Sequence, residues 1–164
     1  GILTDIGSHQ MDQFLYFTDS SQAEIVASQV GNFNYPQYPE LEDFGDAMVK
    51  GDKGVGYCRV DWYTPLGVGT YGDGRLIVIG TAGYIEVRKT CDIGGRSGGD
   101  HLFLVDDRGV RYEDCGQQPL PFAQQLLADV ADRTETAMSQ THCFLASELA
   151  LRAQAQATRL GHLK

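Results

Sequence analysis

The sequence predicts an α+β domain in which helices pack on one face of a large open, mostly antiparallel sheet. Two observations support this class. The middle of the chain is a succession of short apolar segments separated by tight turns that contain Gly and Asp, whereas both ends have helical patterns. Strands that follow one another through short turns pair antiparallel, and helices grouped at the chain ends cover one face of such a sheet.

The first predicted element is a helix over residues 5–18, with Asp5 as its N-cap. At ~100° per residue, the side chains of this helix divide into two faces. One face is largely apolar and contains Met11, Phe14, Leu15 and Thr18. The opposite face contains Asp5, His9, Asp12 and Tyr16. The helix therefore presents two carboxylates, an imidazole and a phenol on its polar face.

The strands are predicted from segments that are rich in β-branched and aromatic residues and are bounded by turn residues. In chain order they are residues 22–35, a hairpin of 44–49 with 54–63, a pair 75–80 with 83–89, and a hairpin of 101–105 with 109–114. Two helices are predicted to end the chain, because the last segments are rich in Ala, Leu and Gln. They cover residues 121–134 and 141–160.

The composition excludes several classes of function. A chain of 164 residues has the size of one domain, and a formal net charge of −9 is a poor match for phosphate backbones or anionic membranes. We therefore expect no nucleic-acid partner and no membrane partner. No apolar run approaches the ~18 residues of a transmembrane helix. The widely spaced cysteines are predicted to be free thiols in a reducing compartment, the cytoplasm; they are Cys58, Cys91, Cys115 and Cys143.

Residues 67–72 (GVGTYG) match the G-x-G-x-x-G pattern of dinucleotide-binding loops. Such a loop needs a helix directly after the glycines, so that the N-terminus of the helix faces the pyrophosphate. Here a predicted strand, residues 75–80, follows instead. The pattern therefore indicates a glycine-rich loop between strands, and the chain is predicted to contain no cofactor-binding residues of its own.

Asp5 and His9 form the candidate catalytic pair. Residues four apart on a helix share one surface, where a carboxylate can orient an imidazole and raise its basicity. Such an imidazole can take or return the proton of a substrate hydroxyl. Two alternatives stay open at this point. One is a capping Asp5 beside a solvated His9, and the other is a divalent metal held by Asp5, His9 and Asp12.

Other polar residues are weaker candidates for a site. His101 follows the glycines of a loop and is interpreted as a surface-turn residue or as part of a substrate-lining loop. Arg96, within the glycine-rich residues 94–99, is interpreted as a solvated loop residue or as a clamp for an anionic group of the substrate or of another subunit. His142, at the beginning of a helix, and Trp62, in a strand, are predicted to be structural.

Three segments together resemble the glucose–fructose oxidoreductase / inositol dehydrogenase / MocA (Gfo/Idh/MocA) family. Residues 3–12 (LTDIGSHQMD) resemble the D-x-G-x-H-x-x-D motif that opens the first helix of the family's C-terminal domain. Residues 60–65 (VDWYTP) resemble its strand ending in Trp and Pro, and residues 75–87 resemble its G-T-x-G strand pair. The Ala-rich last helix also fits, so the resemblance extends over nearly the whole chain.

The resemblance implies the rest of the domain organisation. Residues 1–164 would be a single C-terminal domain for substrate binding and oligomerisation in a longer oxidoreductase, with an open-sheet fold like that of the dihydrodipicolinate reductase C-terminal domain. An N-terminal Rossmann domain, absent from this chain, would bind NAD or NADP. The start at Gly1, without Met or a signal sequence, is interpreted as an internal boundary. The fragment alone is then expected to be inactive and to bind NAD(P) negligibly.

The resemblance also assigns roles to residues. His9 would handle the hydroxyl proton of a sugar, polyol or related hydroxy compound while hydride passes to the nicotinamide. Asp5 would bind the substrate and support His9, and the polar helix face would look into the cleft. The candidate substrate-binding residues are Asp12, Tyr16, His101 and Arg96. A homo-oligomer formed through the open sheet face is implied as well.

Two other functions remain as alternatives. The chain could be a non-catalytic sheet module for oligomerisation or ligand binding, which the broad sheet and the missing cofactor loop favour. It could also be a metal-dependent lyase or hydrolase that uses Asp5, His9 and Asp12.

Overall fold

The computed structural model describes residues 1–161. These residues form two compact units. Unit 1 comprises Gly1–Trp62 together with the chain from Pro121 onwards, and unit 2 comprises Tyr63–Leu120. Each unit contains one four-stranded sheet.

The elements are numbered along the chain. They are α1 (Ile2–Asp5), α2 (Gly7–Thr18), β1 (Ala23–Gly31), β2 (Phe44–Gly51), β3 (Val55–Asp61), β4 (Arg75–Gly80), β5 (Gly83–Arg88), β6 (His101–Asp106), β7 (Gly109–Asp114), α3 (Phe122–Asp132), α4 (Gln140–Ala155) and β8 (Thr158–Arg159). The predicted α+β class is confirmed, because strands and helices are segregated along the chain and all but one of the strand pairings are antiparallel.

The prediction of one large sheet needs correction. The strand order is β3-β2-β1-β8 in unit 1 and β4-β5-β6-β7 in unit 2. The chain between β3 and β4 does not form a hairpin: the Trp62 N–H continues the pairing with the β2 side through the Asp43 carbonyl, and Pro65 then begins a 3-10 turn at Leu66–Val68. Residues 67–72 lie in this turn and the loop after it, and the next element is a strand. The predicted glycine-rich loop followed by a strand is therefore confirmed.

The first helix begins earlier than predicted and is interrupted. α1 ends at Asp5, and α2 begins at Gly7 with Ile6 as its N-cap. Asp5 makes no capping hydrogen bond, and its backbone carbonyl accepts a hydrogen bond from Ser8 Oγ at 2.7 Å. The prediction that Asp5 is the N-cap is therefore wrong.

A buried carboxylate explains the earlier start. The side chain of Glu42 is 5% exposed, and its oxygens accept hydrogen bonds from the Ile2 N–H, from Gln154 Nε2 and from Arg159 Nη2. The Gln154 amide oxygen also accepts from the Leu3 N–H at 3.1 Å. The donors that a helix leaves unpaired at its N-terminus are thus satisfied at Ile2 and Leu3. α1 can therefore form upstream of the predicted boundary.

Helices α1, α2 and α4 pack on one face of the unit 1 sheet. A Cβ at Gly45 would lie 2.7 Å from Ile2 Cγ2, and a Cβ at Gly56 would lie 2.7 Å from Phe14 Cδ2. Only glycine permits an approach this close. The buried residues below the helices form the core of unit 1, which consists of Ile2, Leu3, Met11, Leu15, Val30, Ala47, Val60, Ala146, Leu149, Ala150 and Ala153.

The opposite face of this sheet is open. Met48 pairs with Tyr57 across β2 and β3, and Lys50 pairs with Val55. The apolar members of this group are exposed by 52% at Met48, 62% at Tyr57 and 79% at Val55. Three exposed apolar side chains on neighbouring strands form a patch on the face that the helices leave uncovered.

Two boundaries differ from prediction for identifiable reasons. β1 ends at Gly31 rather than residue 35, because Asn32 Nδ2 donates to the carbonyls of Tyr35 and Tyr38 and folds the chain into a turn. α4 ends at Ala155 rather than residue 160, because β8 pairs in parallel with β1. Trp62, predicted in a strand, directly follows β3 and is 38% exposed.

All four cysteines are free thiols, as predicted. Cys58 on β3 is largely buried, and burial raises the pKa of its thiol to about 11. Cys143, in the first turn of α4, is exposed. No helix within residues 1–161 is both long and apolar enough to cross a membrane.

Replacing Leu149 with Ala tests the position of the core. Leu149 is 1% exposed, so Leu149→Ala is expected to lower the free energy of unfolding by ~2–5 kcal/mol through lost burial and a cavity. Leu151 on the same helix is 58% exposed, and Leu151→Ala is the matched control with an expected change within ~0.5 kcal/mol. Urea unfolding followed by circular dichroism measures both. Equal losses for the two variants would contradict this packing.

Candidate functional site

The polar face of α2 is the candidate active-site surface. Met11 and Leu15 are 0% and 2% exposed and pack into the core. His9 is exposed, and so is Tyr16, whose exposure is 74%. The division of this helix into a core face and a polar face is therefore as predicted.

Asp5 and His9 are both exposed but are not joined. Among residues 1–161 there is no hydrogen bond between the two side chains; Asp5 ends α1, and His9 lies in the first turn of α2. Ile6, which separates α1 from α2, has helical φ and ψ values of −72° and −36°, so Asp5 and His9 keep approximately helical spacing. The imidazole of His9 lies at the surface.

Asp12 forms the carboxylate–imidazole pair of this face, and its partner is His142. The distance from Asp12 Oδ1 to His142 Nε2 is 2.7 Å. A carboxylate oxygen accepts, so Nε2 carries the proton and donates it. The side chains are partly shielded, with 38% exposure for Asp12 and 23% for His142. This bond connects α2 to the first turn of α4.

His101 lies in unit 2 and is buried rather than loop-exposed. It is the first residue of β6 and is 0% exposed. Its Nε2 lies 3.1 Å from the Gly98 carbonyl, which can only accept, so Nε2 is protonated. Its Nδ1, 2.9 Å from the Tyr112 hydroxyl, then accepts. The interpretation of His101 as a surface-turn residue is wrong, since both ring nitrogens are used internally.

Arg96 holds the glycine-rich loop against the unit 2 sheet. Its guanidinium lies 4.5 Å from the ring centre of Tyr112 and 5.3 Å from that of Phe103, within cation–π range. Its Nη1 donates to Asp92 Oδ2 at 2.8 Å. Asp92 also accepts from the backbone N–H groups of Gly94 and Arg96. The loop therefore has a defined conformation, and Arg96 is not simply a solvated residue.

Sequence reasoning missed two of the residues that organise these clusters. His142 was interpreted as structural, because its distance along the chain from Asp12 gives no local signal. The sequence predicts no role for Tyr112, although its alternation with Val110 on β7 places both on one face of the strand. Residues 1–161 contain no group of three or more His, Cys, Asp or Glu side chains that could hold a metal ion.

The loop at residues 67–72 does not have the form of a dinucleotide-binding loop. The G-x-G-x-x-G residues 67–72 lie in a 3-10 turn and a loop that lead into β4. Gly67, Gly69 and Gly72 have no neighbouring atoms around their Cβ positions, so these glycines do not mark a close approach of packed elements. The helix N-terminus that a pyrophosphate requires is not present at this loop.

Comparisons with known proteins agree with the fold. A family model described as the GFO/IDH/MocA C-terminal domain matches residues 1–86, which is just over half of the 164 residues. The crystal structure of a provisionally assigned oxidoreductase from Erwinia carotovora atroseptica SCRI1043 is 47% identical with a TM-score of 0.94, and the match covers 98% of this chain and 49% of that one. No match was found among curated proteins.

A second solved structure shows the fold alone. It belongs to a provisionally assigned oxidoreductase from Thermotoga maritima, with 20% identity and a TM-score of 0.76, and the match covers 92% of this chain and 43% of that one. The chain therefore spans about half the length of these two relatives. Fold and sequence together define a C-terminal α+β domain. The chain belongs to the GFO/IDH/MocA family.

The Asp92–Arg96 contact has a measurable electrostatic signature. The hydrogen bond from the Arg96 side chain, with those from the Gly94 and Arg96 N–H groups, lowers the pKa of Asp92 to about 2. A pKa lowered on folding stabilises the loop above the ordinary carboxyl value of ~4, and this contribution is lost as the pH falls toward 2.

Arg96→Gln is expected to raise the pKa of Asp92 partway toward that ordinary value, because the backbone donors remain. Arg96→Lys is the control that keeps a cation without the planar stacking surface. Carboxyl carbon resonances recorded against pH measure the pKa of Asp92. An unchanged titration in Arg96→Gln would show that Arg96 is not the cause.

Proposed function

We propose that this chain is the C-terminal, substrate-side domain of a longer NAD(P)-dependent oxidoreductase that acts on a sugar, polyol or related hydroxy compound. The observation that carries the proposal is the exposed His9 on the polar face of α2, within the segment that matches the family model. The relatives named above, provisionally assigned as oxidoreductases, support the same class of reaction.

His9 is the proposed acid–base residue. Its imidazole is exposed, so it can take a proton from a substrate hydroxyl or return one to an alkoxide. Asp5, one turn earlier and also exposed, is proposed to bind the substrate and to support His9. Tyr16 and Asp12 extend the same polar face, where their oxygens can accept or donate hydrogen bonds to hydroxyl groups.

For the unit 2 residues Arg96 and His101 we propose no catalytic role, only a contribution to substrate binding. Arg96 is 47% exposed at its side chain, and the donors not directed at Asp92 could bind an anionic substrate group. The ring of His101 is fully buried, so its contribution to substrate binding would be indirect, through Tyr112.

The cofactor belongs to another part of the proposed enzyme. A nicotinamide cofactor would supply the hydride chemistry, and the G-x-G-x-x-G match at residues 67–72 leads into a strand, not into the helix that its pyrophosphate needs. An N-terminal Rossmann domain is proposed for this role, and the roughly twofold greater length of the matched relatives leaves room for it. The four free thiols support a reducing location such as the cytoplasm.

His9→Ala in the full-length protein tests the proposed function. Loss of the acid–base group is expected to lower kcat/KM for oxidation of a polyol substrate by ~10²–10⁴-fold. Gln13→Ala, in the same helix and with no proposed role, is the control. Steady-state NAD(P)H formation across a panel of polyols and sugars is the measurement. A kcat/KM within about threefold of the wild-type value for His9→Ala would contradict this role.

A second proposed property is assembly through the open face of the unit 1 sheet. The exposed Met48, Val55 and Tyr57 favour it, since exposed apolar patches mark interaction surfaces. A domain with assembly as its only role would be the non-catalytic sheet module named above as an alternative.

Met48→Glu in the full-length protein is expected to shift an oligomer toward monomer, because it places a charge in the centre of this patch. Leu151→Glu, on the exposed side of α4, is the control. Sedimentation velocity distinguishes the two states. An unchanged sedimentation coefficient for Met48→Glu would rule out this face as the interface.

A further inference from the structure

We propose that His142 is a positioning residue that holds Asp12 in its substrate-binding orientation on the α2 face. This inference rests on the proposed function, because it takes Asp12 as a substrate ligand. His142 lies 130 positions from Asp12 in sequence, and its Nε2 lies 2.7 Å from Asp12 Oδ1. It therefore acts on the α2 face from a separate helix.

The two carboxylate oxygens of Asp12 have different hydrogen-bond partners. Oδ1 accepts the proton of His142 Nε2, and Oδ2 has no hydrogen bond among the described residues. A carboxylate held at one oxygen keeps a single rotamer, which directs its second oxygen and avoids an ordering cost when a ligand binds. Oδ2 is then the atom that accepts from a substrate hydroxyl.

The packing around His142 makes this orientation firm. Ser139 caps α4 by accepting from the His142 N–H at 3.2 Å, so the residue stands at a fixed place in the first turn. Three positions further along, Leu145 is partly buried against the core. The helix that carries His142 is therefore anchored on both sides of the contact with Asp12.

The position of Asp12 connects the pair with His9. Residues three apart on a helix are neighbours on its surface, and α2 is continuous from Gly7 to Thr18. A substrate that presents one hydroxyl to His9 can therefore present another to Asp12. Adjacent hydroxyl groups are the feature common to sugars and polyols, so the pair would favour a diol over an isolated alcohol.

The test uses the full-length protein and separates substrate binding from chemistry. His142→Leu is expected to raise KM for a polyol roughly tenfold with kcat nearly unchanged. The reason is that the contact between Asp12 and the substrate is weakened, and this contact has the same strength in the ground state and in the transition state. His142→Gln keeps a side-chain N–H donor and is expected to restore most of the affinity. If His142→Leu does not fold, His142→Ala serves in its place.

A double substitution shows whether His142 acts through Asp12. Asp12→Ala alone should raise KM, and adding His142→Leu should raise it no further, since the residue being positioned is already absent. Additive effects on KM would overturn the proposal, as would a KM for His142→Leu within twofold of wild type. Equal loss of activity in His142→Leu and His142→Gln would also overturn it.

A spectroscopic readout keeps this inference distinct from the proposed function. In histidine-labelled full-length protein, the bonded Nε2 proton of His142 should give a cross-peak in a proton–nitrogen spectrum that Asp12→Ala removes. If the cross-peak is present but no polyol is oxidised, the proposed function fails while the positioning of Asp12 stands. If the cross-peak is missing, the positioning proposal fails whatever the turnover.

Discussion

The buried carboxylate of Glu42 is the interaction on which the arrangement of unit 1 depends. A buried charge is tolerated only when donors surround it, and here the donors come from α1, α4 and the last strand of the sheet. Ile2 and Arg159, at opposite ends of the described chain, are thereby held at one point. The same contacts fix the start of α1 beside the end of α4.

The sequence predicted most of the fold because its signals there are local. The β2–β3, β4–β5 and β6–β7 pairs were predicted within a few residues, since tight turns and β-branched segments are readable over short windows. The misjudged features depend on distant partners. α1 depends on Glu42, and the early end of α4 depends on the pairing of β8 with β1.

In the candidate site, too, the features with a local sequence signal were predictable and the contacts between distant residues were not. The polar face of α2 was predictable from helical periodicity, so the exposure of His9 and Tyr16 was expected. The partners of its side chains were not predictable, because Asp12 meets a residue from the other end of the chain. His101 was placed at the surface because glycines precede it, whereas β6 begins at this residue and turns the ring inward.

The unequal exposure of the thiols has a practical consequence. The burial and raised pKa of Cys58 make it a poor nucleophile at neutral pH, while Cys143 stands exposed in the turn of α4 that also carries His142. A maleimide dye would therefore attach at Cys143 in preference to Cys58. The chain thus has a natural attachment point for a fluorescent reporter, one residue from the contact between α2 and α4.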